Sequence, residues 1–198
     1  MDSNWEEPMP SVFDVLGRDH QEVKRMLAEL EKGPTAATGA NDNDLMLRAK
    51  MAEQLVIEES RHEAVEEMYF WPAVREWVAD GERLAGTATS QEQEGKEVLA
   101  GLDKLDARQP EFEQLVTTFI QAGREHISYE ETQVWPLLRA ALSAQDTDDL
   151  GGKLLAAKKT APTRPHPRTP ASPGVLKTAG PAVAAADRAR DAASGRGE

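Results

Sequence analysis

The sequence contains one stretch of potential metal ligands twice. Residues 62–72, HEAVEEMYFWP, and residues 126–136, HISYEETQVWP, each read His, three residues, Glu-Glu, three residues, Trp-Pro. On an α-helix, side chains four positions apart share a face, which pairs His62 with Glu66 and His126 with Glu130. A single such pair is most often a surface salt bridge. Two copies with the same flanking residues instead indicate a site that needs imidazole and carboxylate groups together.

The first predicted helix supplies a third histidine. Its apolar stripe contains His20, four residues after Leu16 and three before Val23. A lone inward-facing histidine is more often a hydrogen-bonded core residue than a ligand, so His20 is a candidate only if other ligands converge on it. The third predicted helix has no histidine, and Glu94 is the acid on its inward stripe near the expected level of the site. A solvated surface charge is the alternative for Glu94.

The absence of cysteine restricts the chemistry of such a site. It excludes thiolate metal sites, iron–sulfur clusters and cysteine nucleophiles, so any metal must be bound by nitrogen and oxygen. Imidazole together with carboxylate suits iron, manganese or zinc, and the spacing of the ligands does not choose between these metals.

The number of ligands indicates two metal ions. Three imidazoles and two carboxylates are more than one ion usually requires, whereas two ions bridged by Glu66 and Glu130 would use all of them. In that arrangement, His20 and His62 bind one ion and His126 binds the other.

The elements that must position these ligands are predicted to be four amphipathic helices. Ser11, with Asp14 three residues later, is predicted to cap the first helix, and Asp44 is predicted to cap the second. The third helix is predicted over about 88–106 and the fourth over about 111–142. Each Trp-Pro pair should bend or restart its helix. These elements predict an all-α, up-down-up-down antiparallel four-helix bundle with ligands facing inward.

Charge and composition divide the chain into three segments. We expect an N-terminal lead-in at residues 1–10, the bundle at 11–157 and a disordered basic tail, rich in Pro and Ala, at 158–198. Residues 1–152 carry 32 Asp and Glu against 14 Lys and Arg, while residues 153–198 carry 3 against 9. The acidic body is therefore a poor candidate for binding nucleic acid.

The tail leaves several possibilities open. Its own partner is unknown, and docking of the tail on the acidic body is a minority interpretation. His166, which lies between prolines in the tail, is expected to take no part in the site. The sequence shows neither a secretory signal nor an apolar run of transmembrane length, so we expect a soluble cytoplasmic protein that does not bind membranes.

His20 and the two His-to-Glu pairs together resemble the H…HxxxE…HxxxE framework of the hemerythrin-like, or HHE cation-binding, family. The resemblance covers about residues 11–142. It implies a bundle holding two non-haem irons, bridged by an oxo or hydroxo group, that bind dioxygen or react with oxygen-derived species. It favours iron over zinc or manganese.

The third helix departs from the family pattern. Family members usually have a histidine there, and aligning EGKEVLAGLDKL with their pattern places Gly95 at that position. Glu94 precedes it and Gln91 lies one turn earlier. Either Glu94 or Gln91 replaces the histidine as a ligand, water fills the gap, or the second iron site is weak.

The missing histidine bears on function. A carboxylate in place of a neutral imidazole stabilises the ferric state, which makes release of bound dioxygen harder. We therefore expect a sensor or scavenger of dioxygen, peroxide or nitric oxide, or an iron-handling protein, rather than an oxygen carrier. The alternatives are a peroxide-disproportionating or oxidase-like enzyme, and a structural or interaction bundle with one metal or none. Aromatic residues near the motifs are expected to shield the site or to be ordinary core residues: Tyr69, Phe70, Trp71, Tyr129 and Trp135.

Overall fold

The computed structural model describes residues 9–169 and 173–197, and within these ranges the chain is helical without β-strands. The all-α prediction is therefore confirmed. Most of the predicted lead-in, residues 1–8, lies outside the described residues. The helices are α1 (Val12–Lys32), α2 (Asp42–Val65), α3 (Trp71–Trp77), α4 (Gly81–Leu102), α5 (Pro110–Tyr129), α6 (Trp135–Ala141), α7 (Ala144–Lys158) and α8 (Pro173–Ser194), with a short 3₁₀ helix at Ala36–Thr38.

The helix starts follow capping chemistry that is visible in the sequence. The Ser11 hydroxyl accepts the Asp14 backbone N–H, and the Asp14 carboxylate accepts the Ser11 backbone N–H, which confirms the predicted capping box. The predicted cap of the second helix was wrong by three residues. Asn41 is the N-cap, and Asp44 is the third helical residue, whose carboxylate accepts the Asn41 backbone N–H.

Both Trp-Pro motifs interrupt their helices in the same way. A π-helical turn spans Glu66–Phe70 between α2 and α3, and a second spans Glu130–Val134 between α5 and α6. The backbone N–H of Trp71 donates to the Glu66 carbonyl, and the backbone N–H of Trp135 donates to the Glu130 carbonyl. Each of these hydrogen bonds spans five residues. Proline lacks the N–H that would continue the α-helical pattern, and its ring displaces the preceding turn, so the wider turn accommodates it. Each turn begins at the glutamate of its repeat.

The predicted count of four helices does not describe the structure. The second and fourth predicted helices are each divided by a π-helical turn, and α7 and α8 are additional helices. The third helix begins at Gly81, seven residues before its predicted start, because it packs closely on α3. A Cβ at Gly81 would lie 2.0 Å from the Val74 carbonyl oxygen, so the contact requires glycine.

The apolar core consists of two clusters with the candidate ligands between them. One cluster contains Leu16 of α1 and Ala88 of α4, and the other contains Val23 and Leu99 of the same two helices. His20 therefore lies on α1 between an apolar residue of each cluster. The helices are held by ordinary hydrophobic packing on both sides of a polar layer, which keeps the polar side chains in place.

The prediction of a disordered tail was wrong for the part that the structure describes. Residues 161–169 and α8 pack on the body, and Leu176 of α8 joins the core cluster that contains Leu16. Arg164 donates to Asp103 at 3.1 Å and to Asp191 at 2.7 Å, and Arg196 also pairs with Asp103. The basic tail thus docks on the acidic body. Composition alone did not reveal this, because the partner carboxylates are distant in sequence.

Loss of the Asp103 carboxylate should loosen the tail. Asp103→Ala removes an acceptor shared by Arg164 and Arg196, so we expect cleavage by trypsin within α8 to be roughly tenfold faster, as for a lost charge-assisted hydrogen bond. Limited proteolysis followed by mass spectrometry measures this rate. Asp106→Ala is the matched control, because Asp106 pairs with Arg108 instead. Equal cleavage rates for the two variants would show that these ion pairs do not hold the tail.

Within the described ranges, no helix combines the length and the hydropathy needed to span a membrane.

Candidate metal centre

Six buried side chains from four helical segments converge between the two apolar clusters. They form two groups whose potential ligand atoms lie within 4.8 Å of one another, and Glu66 and Glu130 belong to both groups. The first group adds His20 and His62, and the second adds Glu92 and His126. The two groups of potential ligands are therefore neighbours that share two carboxylates.

The ring nitrogens that face this layer are close to its carboxylates. His20 Nε2 lies 3.3 Å from Glu130 Oε2, His62 Nε2 lies 3.2 Å from Glu66 Oε2, and His126 Nε2 lies 2.8 Å from Glu130 Oε1. These nitrogens, and both oxygens of Glu66 and of Glu130, are buried without a well-aligned hydrogen bond to the described residues. Buried polar atoms left unpaired are costly, so the layer is suited to a cation that would bind them.

The opposite nitrogen of each ring is held by an oxygen. His20 Nδ1 lies 3.0 Å from Glu131 Oε1, His62 Nδ1 lies 3.4 Å from an oxygen of Asp19, and His126 Nδ1 lies 3.1 Å from the side-chain oxygen of Gln91. An Nδ1–H that donates to such an oxygen leaves the Nε2 lone pair facing the carboxylate layer. This is the tautomer that metal-binding histidines adopt.

Lysines neutralise the acids next to the layer. Lys24 donates to Glu131 at 2.7 Å and 2.8 Å, Lys158 pairs with Asp19, and Lys96 pairs with Glu67. The outer acids are therefore compensated within the protein. The inner carboxylates of Glu66, Glu92 and Glu130 have no lysine or arginine partner among the described residues, and a bound cation would compensate them.

The structure brings together five of the six residues predicted from the sequence: His20, His62, Glu66, His126 and Glu130. The sixth prediction, Glu94, was wrong, because the Glu94 side chain is exposed on α4. Glu92, two residues earlier, is buried and takes the predicted place of Glu94. His166 pairs with Asp187 of α8 at 2.8 Å and is absent from both ligand groups, as expected.

A second repeat in the sequence could have identified Glu92. Residues 20–24 read HQEVK and residues 92–96 read EQEGK, which align His20 with Glu92 and Lys24 with Lys96. The residue preceding each segment, Asp19 or Gln91, holds the Nδ1 atom of a ligand histidine. The same alignment pairs Glu94 with Glu22, whose side chain is exposed. The two halves of the site are related by an internal duplication of both sequence segments.

The tryptophans of the two repeats contact the two equivalent residues. The Trp135 ring stacks on the His20 ring, with centroids 4.9 Å apart and planes 15° apart. The Trp71 indole N–H donates to Glu92. Each tryptophan thereby contacts a residue of the other ligand group, and these two residues, His20 and Glu92, are where the groups differ. Tyr129 instead donates to the Leu84 carbonyl at 3.3 Å.

The pKa values of the ionisable groups in this layer are shifted in ways that favour binding of a cation. Burial, with the nearby Glu130 carboxylate, raises the pKa of Glu66 well above its usual range, and burial does the same for Glu92. Burial alone would lower the pKa of His126, but the carboxylates of Glu130, Glu92 and Glu59 together outweigh burial and raise this pKa to about 9. Burial lowers the pKa of His62. A cation would replace the protons that these carboxylates otherwise retain.

Two further buried acids, Glu59 and Glu63, lie on α2 beside the second group. Burial raises the pKa of Glu59 from its usual 4.5 to about 7, and burial raises that of Glu63 to about 8. The folded chain therefore holds protons that the unfolded chain releases at lower pH. For Glu59, folding stability is lost as the pH rises from about 4.5 to about 7.

The variant Glu59→Gln should remove this loss in metal-free protein. Near pH 4.5, we expect the variant and the unchanged chain to have the same free energy of unfolding. Above pH 7, we expect the free energy of unfolding of the variant to be higher by up to roughly 3 kcal/mol. Urea unfolding of chelator-treated protein across this pH range measures the difference. Glu94→Gln, at an exposed position, should show no pH-dependent gain. A gain that is independent of pH would mean that Glu59 acts through packing alone.

Comparisons with known proteins agree with this geometry. The sequence profile described as Hemerythrin HHE cation binding domain matches residues 11–138. An uncharacterized hemerythrin-like protein of Schizosaccharomyces pombe is 26% identical over 184 residues, which cover 92% of this chain and 86% of the relative. A DNA nickase of Nostoc is 23% identical over 148 residues, which cover 75% of this chain but 39% of the nickase.

One solved structure shows the same fold. It is the crystal structure of a hemerythrin HHE cation-binding domain-containing protein from Mycobacterium kansasii, with a TM-score of 0.63 and 18% sequence identity. The match covers 90% of this chain and 99% of that chain. It therefore includes most of the additional helical region beyond the matched profile.

Proposed function

Because this chain belongs to the hemerythrin HHE cation-binding family, we propose that it holds two iron ions between its helices and binds dioxygen, peroxide or nitric oxide there. The observation that carries the proposal is the pair of four-residue groups that share Glu66 and Glu130. One ion would be held by His20 and His62, and the other by Glu92 and His126, with the shared carboxylates bridging them.

The donor set supports iron among the candidate metals. Imidazole nitrogens and carboxylate oxygens, without thiolates, are ligands that iron accepts, and zinc or manganese are the less favoured alternatives. Two bound irons would supply redox chemistry with dioxygen and its reduced forms. The protein's own contribution is to bury the donors, to fix the histidine tautomers and to limit water in the layer.

The two ion positions differ in charge. The first has two neutral imidazoles, whereas the second has one imidazole and the additional carboxylate of Glu92. The extra negative charge stabilises the higher oxidation state at the second position. This favours a sensor or scavenger of oxygen species over a reversible oxygen carrier.

A second candidate is peroxide disproportionation, in which two molecules of hydrogen peroxide give two of water and one of dioxygen. This reaction moves protons as well as electrons. The buried acid Glu59 supports it, because its pKa of about 7 suits a group that accepts and returns protons near neutral pH. The chain would then be an enzyme on the same site.

We propose that the partners of the protein are these small oxygen species. The acidic residues 1–152 disfavour contact with nucleic acid, although one relative is named a DNA nickase. A cytoplasmic location remains our prediction.

Metal analysis of protein produced with iron and without chelator tests the proposal. The expected result is two irons per chain and near-ultraviolet absorption from a bridged pair. Steady release of dioxygen from added peroxide would select the enzyme over the sensor or scavenger. A colourless, folded protein that binds no iron when reconstituted would refute both and leave a structural bundle.

A further inference from the structure

The second ion position has a small cavity beside it. This cavity, of about 20 Å³, is large enough for one water molecule. Its lining includes two candidate ligands, Glu92 and His126, together with Glu59 and Glu63 of α2. The cavity therefore adjoins both the candidate ligands and two buried acids.

The two α2 acids are aimed at this cavity. Glu59 and Glu63 are four residues apart, share one helix face and are buried. Glu63 Oε2 has no hydrogen-bond partner among the described residues. Glu63 Oε1 would lie 3.5 Å from a Cβ placed on Gly95, which also lines the cavity. Gly95 thus leaves open the space next to the Glu63 carboxylate.

The sequence positions equivalent to these two acids in the other repeat carry no charge. Measured from the ligand histidine of each repeat, Glu59 corresponds to Gly123 and Glu63 corresponds to Ile127. The counterpart of Gly95 in the other half is Val23, and Val23 and Ile127 belong to the same apolar cluster. The residues equivalent to Glu59, Glu63 and Gly95 are therefore Gly123, Ile127 and Val23, none of which carries a polar side chain.

A second cavity lies nearer the tail and shares the lining residue Glu63 with the first. It measures about 40 Å³ and lies between the body, at Glu67 and Lys96, and the tail, at Pro165 and Leu176. Glu63 lines both cavities and so stands between them. The lining contains three acids, Glu59, Glu63 and Glu67, and it also contains Lys96 and Arg164, which pair with Glu67 and with Asp103 and Asp191. Glu59 and Glu63 form no salt bridge with a described residue, so their carboxyl oxygens are available to bind a cation.

We propose that Glu59 and Glu63 form a transit site through which a divalent cation, Fe²⁺ in particular, reaches the second ion position. The cation would pass from the cavity beneath the tail to Glu63 and Glu59, and from there to Glu92 and His126. Carboxylate oxygens suit a partly hydrated divalent ion that must be released again. This proposal rests on the proposed function, because it assumes that the layer binds metal.

Cobalt uptake by the full-length, metal-free protein tests the proposal. Co²⁺ reports its binding by visible absorption, so the rate of filling and the final stoichiometry are read without any activity assay. In Glu59→Gln/Glu63→Gln, we expect one of two ions to bind about tenfold more slowly, because the carboxyl oxygens that would bind the ion in transit are lost. The final content should still be two ions per chain. Glu94→Gln, at an exposed position, is the control and should fill at the unchanged rate.

A second variant blocks the passage without altering charge. A Cβ at Gly95 would be 3.5 Å from Glu63 and 3.6 Å from the Phe119 ring, so alanine fits at ordinary contact distance while filling the cavity. Alanine also favours the helix over glycine by about 1 kcal/mol, so the variant should fold. Gly95→Ala should likewise slow the uptake of one ion and leave the final content at two.

The outcomes separate this proposal from the proposed function. Unchanged uptake rates in both variants, with two ions bound, would overturn the transit site and leave the metal centre intact. A final content of one ion in the double variant would also overturn it, because the acids would then be permanent ligands. Failure of the unchanged protein to bind two ions would refute the proposed function itself.

Discussion

Glu130→Ala should abolish binding at both ion positions. Glu130 is fully buried, and its two oxygens face the rings of His20 and His126, which belong to different ligand groups. Removing a shared carboxylate therefore removes a ligand from each ion and leaves the imidazoles without their anionic partner. We expect the metal content after dialysis to fall from about two ions per chain to near zero.

A matched variant separates this bridging role from general damage. Glu131→Ala removes the carboxylate that holds His20 Nδ1 and Lys24, without removing a candidate ligand. Loss of such an orienting group typically weakens metal affinity about 10- to 100-fold, and here only one ion should be affected. Elemental analysis alongside circular dichroism measures both variants. Folded Glu130→Ala protein that retained one ion at full affinity would exclude the shared bridge.

Glu92→Ala should remove one ion and leave the other. Glu92 belongs only to the second group, so His20 and His62 keep their ion. We expect a content of about one ion per chain, with the affinity of the second position reduced at least about 100-fold, because a direct ligand is lost. Glu94→Ala is the control, since the exposed Glu94 side chain should not affect either ion.

Substitution of Glu92 by histidine tests the same position in a second way, because Glu92 is the equivalent of His20. Glu92→His would place an imidazole where the internal duplication has one in the other half. This variant should keep two ions and raise the reduction potential of the pair, because a negative charge is replaced by a neutral ligand. Potentiometric titration measures the change. Retention of two ions in Glu92→Ala, or an unchanged potential in Glu92→His, would show that Glu92 is not a ligand.

Most of the candidate site could be predicted from the sequence because its signals are local. His62 and Glu66 lie one turn apart, and so do His126 and Glu130, so helix geometry alone places each pair on one face. His20 was identifiable because a polar residue interrupts an otherwise apolar stripe. Aligning Gly95 with the family's histidine predicts Glu94 as a ligand, whereas the structure places Glu92 in the site. Aligning the segments HQEVK and EQEGK instead identifies Glu92 as the equivalent of His20.

The sequence predicted the all-α class and the two helix breaks, but it did not predict how the C-terminal tail packs. The Trp-Pro pairs predicted breaks in two helices, and the structure has a π-helical turn at each. The docking of the tail depends on pairs such as Arg164 with Asp103, which are 61 residues apart. Contacts of that separation leave no periodic pattern in a sequence. Residues rich in Pro and Ala therefore resembled a disordered segment.

Anomalous X-ray diffraction at the iron absorption edge, from crystals of the protein reconstituted with iron, tests the central claim most directly. Two anomalous peaks should appear inside the helical layer, each in contact with both Glu66 and Glu130. One peak should adjoin His20 and His62, and the other His126 and Glu92. A single peak, or peaks that do not share the two glutamates, would contradict the account.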